Sequence, residues 1–165
     1  MTPHTDISAV DAEQRVGIDV PFESRFAWRA GALSGALAAI VMGIAITLVQ
    51  LETLRVAIAG LYGFEGSLFV GWLAHVFHGA VFGVLFAAVL ADPGLFDVRD
   101  WLWKSVAAGV VYGIVLAVFG TGIIMPMWLD IVGLGPVPIP NVTTPLIVWH
   151  VVYGVVLGAA FHYTR

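Results

Sequence analysis

Four long apolar stretches constrain this chain more than any other feature of its sequence. They cover about residues 26–49, 67–91, 101–125 and 145–163. Each is close to the roughly 20 residues that an α-helix needs to cross about 30 Å of hydrocarbon. Charged residues make up 11% of the chain, whereas a soluble domain carries about 25%. The sequence therefore predicts an all-α integral membrane protein with four transmembrane helices in residues 26–165.

The basic residues predict how these helices are oriented. Loops rich in lysine and arginine stay in the cytoplasm, so the more basic side of a membrane protein faces inward. If the four stretches span the membrane, Arg55 is the only basic residue on one side of it, and the other six lie on the opposite side. We therefore predict an N-in/C-in topology, with residues 1–25 as a disordered, acidic cytoplasmic tail. The basic residues on the inner side are Arg15, Arg25, Arg29, Arg99, Lys104 and Arg165.

The second and fourth stretches share one pattern of residues. Residues 75–86 and 150–161 both read His-Val-x-x-Gly-x-x-x-Gly-x-x-Phe, and they begin seventy-five residues apart. In a helix, the histidine and the two glycines of this pattern lie on one face. The constant spacing predicts an internal repeat, in which two helical hairpins each contribute two of the four spans.

Every stretch also contains two glycines four residues apart. Lipid provides no hydrophobic effect between helices, so close contact there depends on small residues that let backbones approach. The spacing predicts a bundle whose helices pack through glycine. The four pairs are Gly31–Gly35, Gly79–Gly83, Gly109–Gly113 and Gly154–Gly158.

His75 and His150 are the candidate functional residues, because an ionisable side chain inside a membrane is costly. Each lies one helical turn from a glycine, Gly79 or Gly154, and the two imidazoles would bind a haem b edge-on. Together with His78 they would instead hold a divalent metal or belong to a proton pathway. The remaining alternative is that all three histidines make hydrogen bonds between helices and bind nothing.

Several other activities are disfavoured. The chain has no cysteine, which excludes thiolate metal sites and cysteine nucleophiles. No acidic residue lies within a predicted span, and no serine has an evident base nearby, so the sequence predicts no enzyme. Basic patches for nucleic acid are absent from the sequence. The predicted partners are the lipid bilayer and either further copies of the chain or other membrane subunits.

The order of features from the second span onward resembles that of a known family. These features are a histidine-bearing span ending near Leu90, the span beginning at Trp101, Met125-Pro126-Met127, Gly133-Leu134-Gly135-Pro136, and Trp149-His150. Over residues 68–163 the chain resembles the YagU-like family of small prokaryotic inner-membrane proteins. That family has no settled biochemical activity, so the resemblance implies a fold and a location in the prokaryotic plasma membrane.

These observations predict a small polytopic membrane protein without enzymatic activity, either transport-related or an accessory subunit. The first alternative is a b-type cytochrome-like protein that transfers electrons through a haem held by His75 and His150. The second alternative is a conductor of metal ions or protons that uses the same histidines.

Overall fold

The structure, a computed structural model, describes residues 21–165. Over that range the chain is helical and forms no β-strand. It begins with a single helical turn, α1 (Phe22–Arg25), which occupies the end of the predicted acidic tail. The rest of that predicted tail, residues 1–20, lies outside the described residues.

Four helices are long and apolar enough to cross a membrane, which confirms the predicted helical class and the number of spans. They are α2 (Trp28–Val49), α3 (Leu68–Val89), α4 (Leu102–Ile131) and α5 (Thr144–Thr164). Side chains cap two of them: the hydroxyl oxygen of Ser67 accepts a hydrogen bond from Val70 N–H, and that of Thr143 accepts one from Leu146 N–H. These caps satisfy N–H groups that the first helical turn leaves without partners.

Helix α4 continues beyond the predicted end of the third span near residue 125. Residues Leu116–Ile124 form a wide π-helical stretch, and a regular segment, Met125–Ile131, follows it. Pro126 lies in the first turn of that segment, where a missing N–H has the least effect. A proline in a helix interior usually breaks the helix, but Pro126 does not end α4.

The connection between α2 and α3 contains a second π-helical stretch, Thr53–Ile58. Its Leu54 and Ile58 are buried against the bundle. On the outer side, Arg55 forms an exposed ion pair of 3.2 Å with Glu52. The amphipathic pattern of this stretch therefore separates a packed face from a solvated one.

The helices lie side by side in the order α3, α2, α5, α4, and the two at the ends of this order make at most minor backbone contact with each other. Helices α2 and α3 form one hairpin, and α4 and α5 form the other. Glycine lies at the helix contact within each hairpin: a Cβ atom on Gly35 would collide with the backbone of Gly79, and one on Gly109 with that of Gly154. The interior includes Ile46, Leu157 and the edge-to-face rings of Phe86 and Phe161.

Large apolar side chains cover the outside of the four helices. Leu48 is 81% exposed, Phe69 is 77% exposed and Ile131 is 79% exposed. In water so large an apolar surface would mark an interaction site, and in a bilayer it faces lipid. We call the end of the bundle that carries α1, the loop of residues 90–101 and the C-terminal end of α5 the base.

Candidate functional site

His75 lies on the buried face of α3, against α2. Its Nε2 atom is 3.0 Å from the carbonyl oxygen of Ala39, and since a carbonyl only accepts, Nε2 carries the proton and donates. The ring of Trp72 meets the imidazole edge-on at 6.3 Å between centroids. Both rings cover Gly43, where a Cβ atom would collide with Trp72. The contact with α2 therefore fixes the orientation of His75.

His150 is buried on α5, and both of its ring nitrogens have partners. Nδ1 is 2.9 Å from the carbonyl oxygen of Leu146, and Nε2 is 3.1 Å from the hydroxyl oxygen of Thr121 on α4. The carbonyl requires a proton on Nδ1, so in the neutral ring Nε2 accepts from the Thr121 hydroxyl. The lone pair that would bind a metal is thus already used in a hydrogen bond.

His78 differs from the other two because its side chain is only half-buried. Its Nε2 atom is hydrogen-bonded to the hydroxyl group of Tyr62, in the connection before α3. The centroids of the Phe77 and Phe82 rings lie 6.2 and 6.4 Å from that of the imidazole. The hydrogen bond ties the α2–α3 connection to the middle of α3.

The haem hypothesis requires open space beside Gly79 and Gly154, and the neighbouring helices fill that space. A Cβ atom on Gly79 would collide with Ala39 of α2, and one on Gly154 with the backbone of Gly109. The glycines therefore admit a neighbouring backbone at close range and leave no room for a porphyrin. Together with the hydrogen bonds of His75 and His150, this arrangement does not fit a haem.

The metal hypothesis for His75, His78 and His150 has no support from the geometry either. Within residues 21–165, no three histidine, cysteine or acidic side chains are grouped closely enough to hold a metal ion. His75 bonds to α2, His150 to its own helix and α4, and His78 to Tyr62. The three imidazoles therefore make separate contacts.

Two tyrosines, Tyr112 and Tyr153, connect the hairpins, and sequence reasoning did not point to their partners. The Tyr112 hydroxyl group on α4 donates a 2.8 Å hydrogen bond to the carbonyl oxygen of Phe82. The Tyr153 hydroxyl group on α5 donates one of 2.8 Å to that of Gly79. Thr121 and Tyr62 were also missed, since a lone polar residue in an apolar stretch shows no partner in sequence.

A shallow groove, open to the side, lies between α3 and α4 toward the base. It consists of two adjoining depressions of about 740 and 530 Å³ that share Val89, Leu95 and Tyr112. Most of the other side chains that line it are apolar, and Asp92 and Lys104 lie at its edge. This groove lies on the side where α3 and α4 make little backbone contact.

Comparison with known proteins finds no family model, no curated protein and no solved structure that matches the chain.

Proposed function

We propose that the protein is a non-enzymatic accessory component of a prokaryotic plasma membrane, built as a rigid frame that holds a lipid chain in its lateral groove. The bonding of the interior polar groups supports the first part of this proposal most directly. Those within the four long helices bond to backbone carbonyls or to other side chains. They are Ser34, Thr47, His75, His78, Ser105, Tyr112, Thr121, His150 and Tyr153.

Hydrogen bonds of this kind favour a role in holding the helices together over a role in proton transfer or catalysis. A hydrogen bond that ends on a helix carbonyl offers no exchangeable group to a following partner, so it is a poor link in a proton pathway. Polar contacts between membrane helices also stabilise the bundle, by about 0.6 kcal/mol each on average. The histidines and tyrosines accordingly serve as connections between helices in this proposal.

The proposed orientation places the base of the bundle in the cytoplasm. Arg25, Arg29, Arg99, Lys104 and Arg165 lie at the base, and Arg55 lies at the opposite end. Since basic residues favour the cytoplasmic side, this distribution supports an N-in/C-in topology. Membership of the YagU-like family, which implies the same membrane, stays a prediction.

We also propose that the two hairpins are repeats. In the first, Gly79 and Gly83 of α3 meet Gly35 and Gly31 of α2; in the second, Gly154 and Gly158 of α5 meet Gly109 and Ser105 of α4. Equivalent glycines thus contact small residues of the preceding span in both hairpins. The open side between α3 and α4 departs from this symmetry, because its counterpart, the α2–α5 side, is closed.

The size of the groove favours a hydrocarbon chain as its occupant. Along α4 the groove extends from Trp103 to Val115, or about 18 Å at 1.5 Å per residue. A single acyl chain is narrow enough to lie in it, and its apolar wall suits that chain.

Filling the groove tests this proposal. Val111 lines the groove and is 62% exposed, whereas Val155 lies on α5 outside it and is 41% exposed. Native mass spectrometry of the protein released from detergent should show a retained phospholipid in the wild type. We expect Val111→Trp to lose that lipid and Val155→Trp to keep it. Equal retention in both variants, or none in the wild type, would contradict a lipid site in the groove.

A visible absorption spectrum distinguishes the proposal from the cytochrome alternative. The protein should be purified from cells supplied with a haem precursor, so that haem supply does not limit the outcome. We expect no Soret band in the purified protein. A Soret band that disappears in both His75→Leu and His150→Leu would establish the haem site and overturn the proposal.

A further inference from the structure

Arg25 is a charged residue buried at the base of the bundle. The residue is 8% exposed, and its Nε and Nη1 atoms have no hydrogen-bond partner among residues 21–165. The Nε atom of Arg99 is likewise buried and has none. Leaving a buried charged donor unsatisfied is costly. Two such guanidinium groups therefore mark a place that is suited to binding an anion.

The two arginines are joined and held through the backbone. Arg99 Nη1 donates a 3.0 Å hydrogen bond to the carbonyl oxygen of Arg25. His162 Nδ1 lies 2.8 Å from the carbonyl oxygen of Arg99, which it holds against α5. The Arg99 guanidinium also lies 3.4 Å from the centre of the Phe96 ring. These contacts hold the loop around Arg99 and leave its Nε donor unused.

The surrounding charges leave an excess of positive charge. Arg165 forms a 2.7 Å ion pair with Asp100, so that carboxylate is already compensated. Burial lowers the pKa of Arg99 below its ordinary value, and the charges of Arg165 and Arg25 lower it further, while Asp100 and Asp97 act against this. An arginine nevertheless stays charged at neutral pH. An incoming anion would relieve repulsion among three guanidinium groups.

We infer that Arg25 and Arg99 bind a phosphate oxyanion, supplied by the headgroup of an anionic phospholipid at the membrane surface. Guanidinium groups bind phosphate through paired N–H donors. The depth of this arginine site in the membrane also fits a headgroup. Trp28, Trp101 and Trp103 lie exposed around the base, and tryptophan is enriched at the membrane–water interface. Basic pockets on the cytoplasmic side of helical bundles bind such headgroups.

This site is separate from the groove, and the two proposals stand or fail independently. The groove is tested at Val111, which belongs to α4, whereas the phosphate site is tested at Arg25, before α2. The acyl chain needs no charge, and the phosphate needs no groove.

The test measures thermal unfolding of the full chain in a neutral detergent. Added phosphatidylglycerol should raise the unfolding temperature in a saturable way, and added phosphatidylcholine should have a much smaller effect. Arg25→Gln should weaken the apparent affinity for phosphatidylglycerol by about tenfold or more, as expected for the loss of a charge-assisted contact. Arg55→Gln, which removes a basic residue at the opposite end of the bundle, should leave the affinity unchanged.

A second measurement separates binding from folding. Since Nε and Nη1 of Arg25 have no partner in the described part of the chain, Arg25→Gln should unfold in lipid-free detergent at the same temperature as the wild type or higher. Arg25→Lys keeps the charge without the paired donors and should show intermediate affinity. Should the Gln variant fail to fold, the Lys variant still tests the site.

Inorganic phosphate, added without lipid, identifies the source of the anion. Stabilisation by inorganic phosphate equal to that by phosphatidylglycerol, and lost in Arg25→Gln, would assign the site to a soluble phosphate and overturn the lipid source. Stabilisation by phosphatidylglycerol alone supports the headgroup. If neither stabilises the protein, or if Arg25→Gln and Arg25→Lys respond like the wild type, the site does not exist.

Discussion

The hydroxyl group of Tyr153 donates a 2.8 Å hydrogen bond to the carbonyl oxygen of Gly79, across the middle of the bundle. Tyr153 belongs to α5 and Gly79 to α3, so this contact joins the two hairpins. Glycine at position 79 has no side chain to shield its carbonyl, and it admits Ala39 on its other side. One residue therefore serves both the packing within a hairpin and the bond between hairpins.

Removing the Tyr153 hydroxyl group should weaken this connection without disturbing the packing. We predict that Tyr153→Phe lowers the free energy of unfolding by about 0.6 kcal/mol, and by less than roughly 1.7 kcal/mol, the range for polar contacts between membrane helices. Titration with a denaturing detergent measures this value. Tyr163→Phe is the control, because Tyr163 is 74% exposed at the base. An equal loss in both variants would show that the Gly79 contact stabilises nothing.

The glycines of α4 should differ sharply in their tolerance of a methyl group. A Cβ atom on Gly109 would collide with the backbone of α5 at Gly154, whereas on Gly120 it would have only Leu116 at 4.0 Å. We predict that Gly109→Ala costs about 1–3 kcal/mol, as overpacking does. Gly120→Ala should be neutral or stabilising, because alanine favours a helix by about 0.5–1 kcal/mol over glycine. Equal thermal stabilities would place Gly109 at a lipid-facing surface.

The number and approximate position of the long helices could be predicted because hydropathy is a local property of the sequence. The end of α4 could not be predicted, since a proline such as Pro126 normally ends a helix. The effect of that proline depends on the π-helical stretch Leu116–Ile124 before it, and no hydropathy pattern shows such a stretch. Local sequence signals therefore predicted the number of long helices, but they did not predict the end of α4, which depends on backbone geometry.

The partners of the candidate residues depend on how distant segments come together. His75 stood out in the sequence as an ionisable residue within an apolar stretch, but its partner, the carbonyl oxygen of Ala39, is an ordinary backbone group of another helix. The cluster of arginines at the base was missed for the same reason. Its members, Arg25, Arg99 and Arg165, come from three separate segments of the chain. Only the relative position of the helices shows that these groups meet.

Single cysteines test the proposed topology, and the native chain contains none to interfere. Asp97 lies in the loop at the base, and Asp130 lies near the opposite end of α4. With an impermeant thiol reagent on intact cells, Asp130→Cys should be labelled and Asp97→Cys should not. Labelling of both should follow once the membrane is opened. The reverse pattern on intact cells would place the base outside and contradict the N-in/C-in orientation.

The bond between His150 and Thr121 provides the sharpest test of the structural role of the histidines. Thr121→Val and His150→Leu each remove one partner of the 3.1 Å contact that joins α4 to α5. If the bond is the main interaction between them, the double variant should be more stable than the sum of the single losses predicts, by about 0.6 kcal/mol. A matched cycle of Thr47→Val with His150→Leu should show no such coupling, because Thr47 bonds to Gly43 in its own helix. Coupling near zero for Thr121 would mean that His150 does not use this bond. His150 would then keep a free nitrogen, and the ligand hypotheses would regain their main requirement.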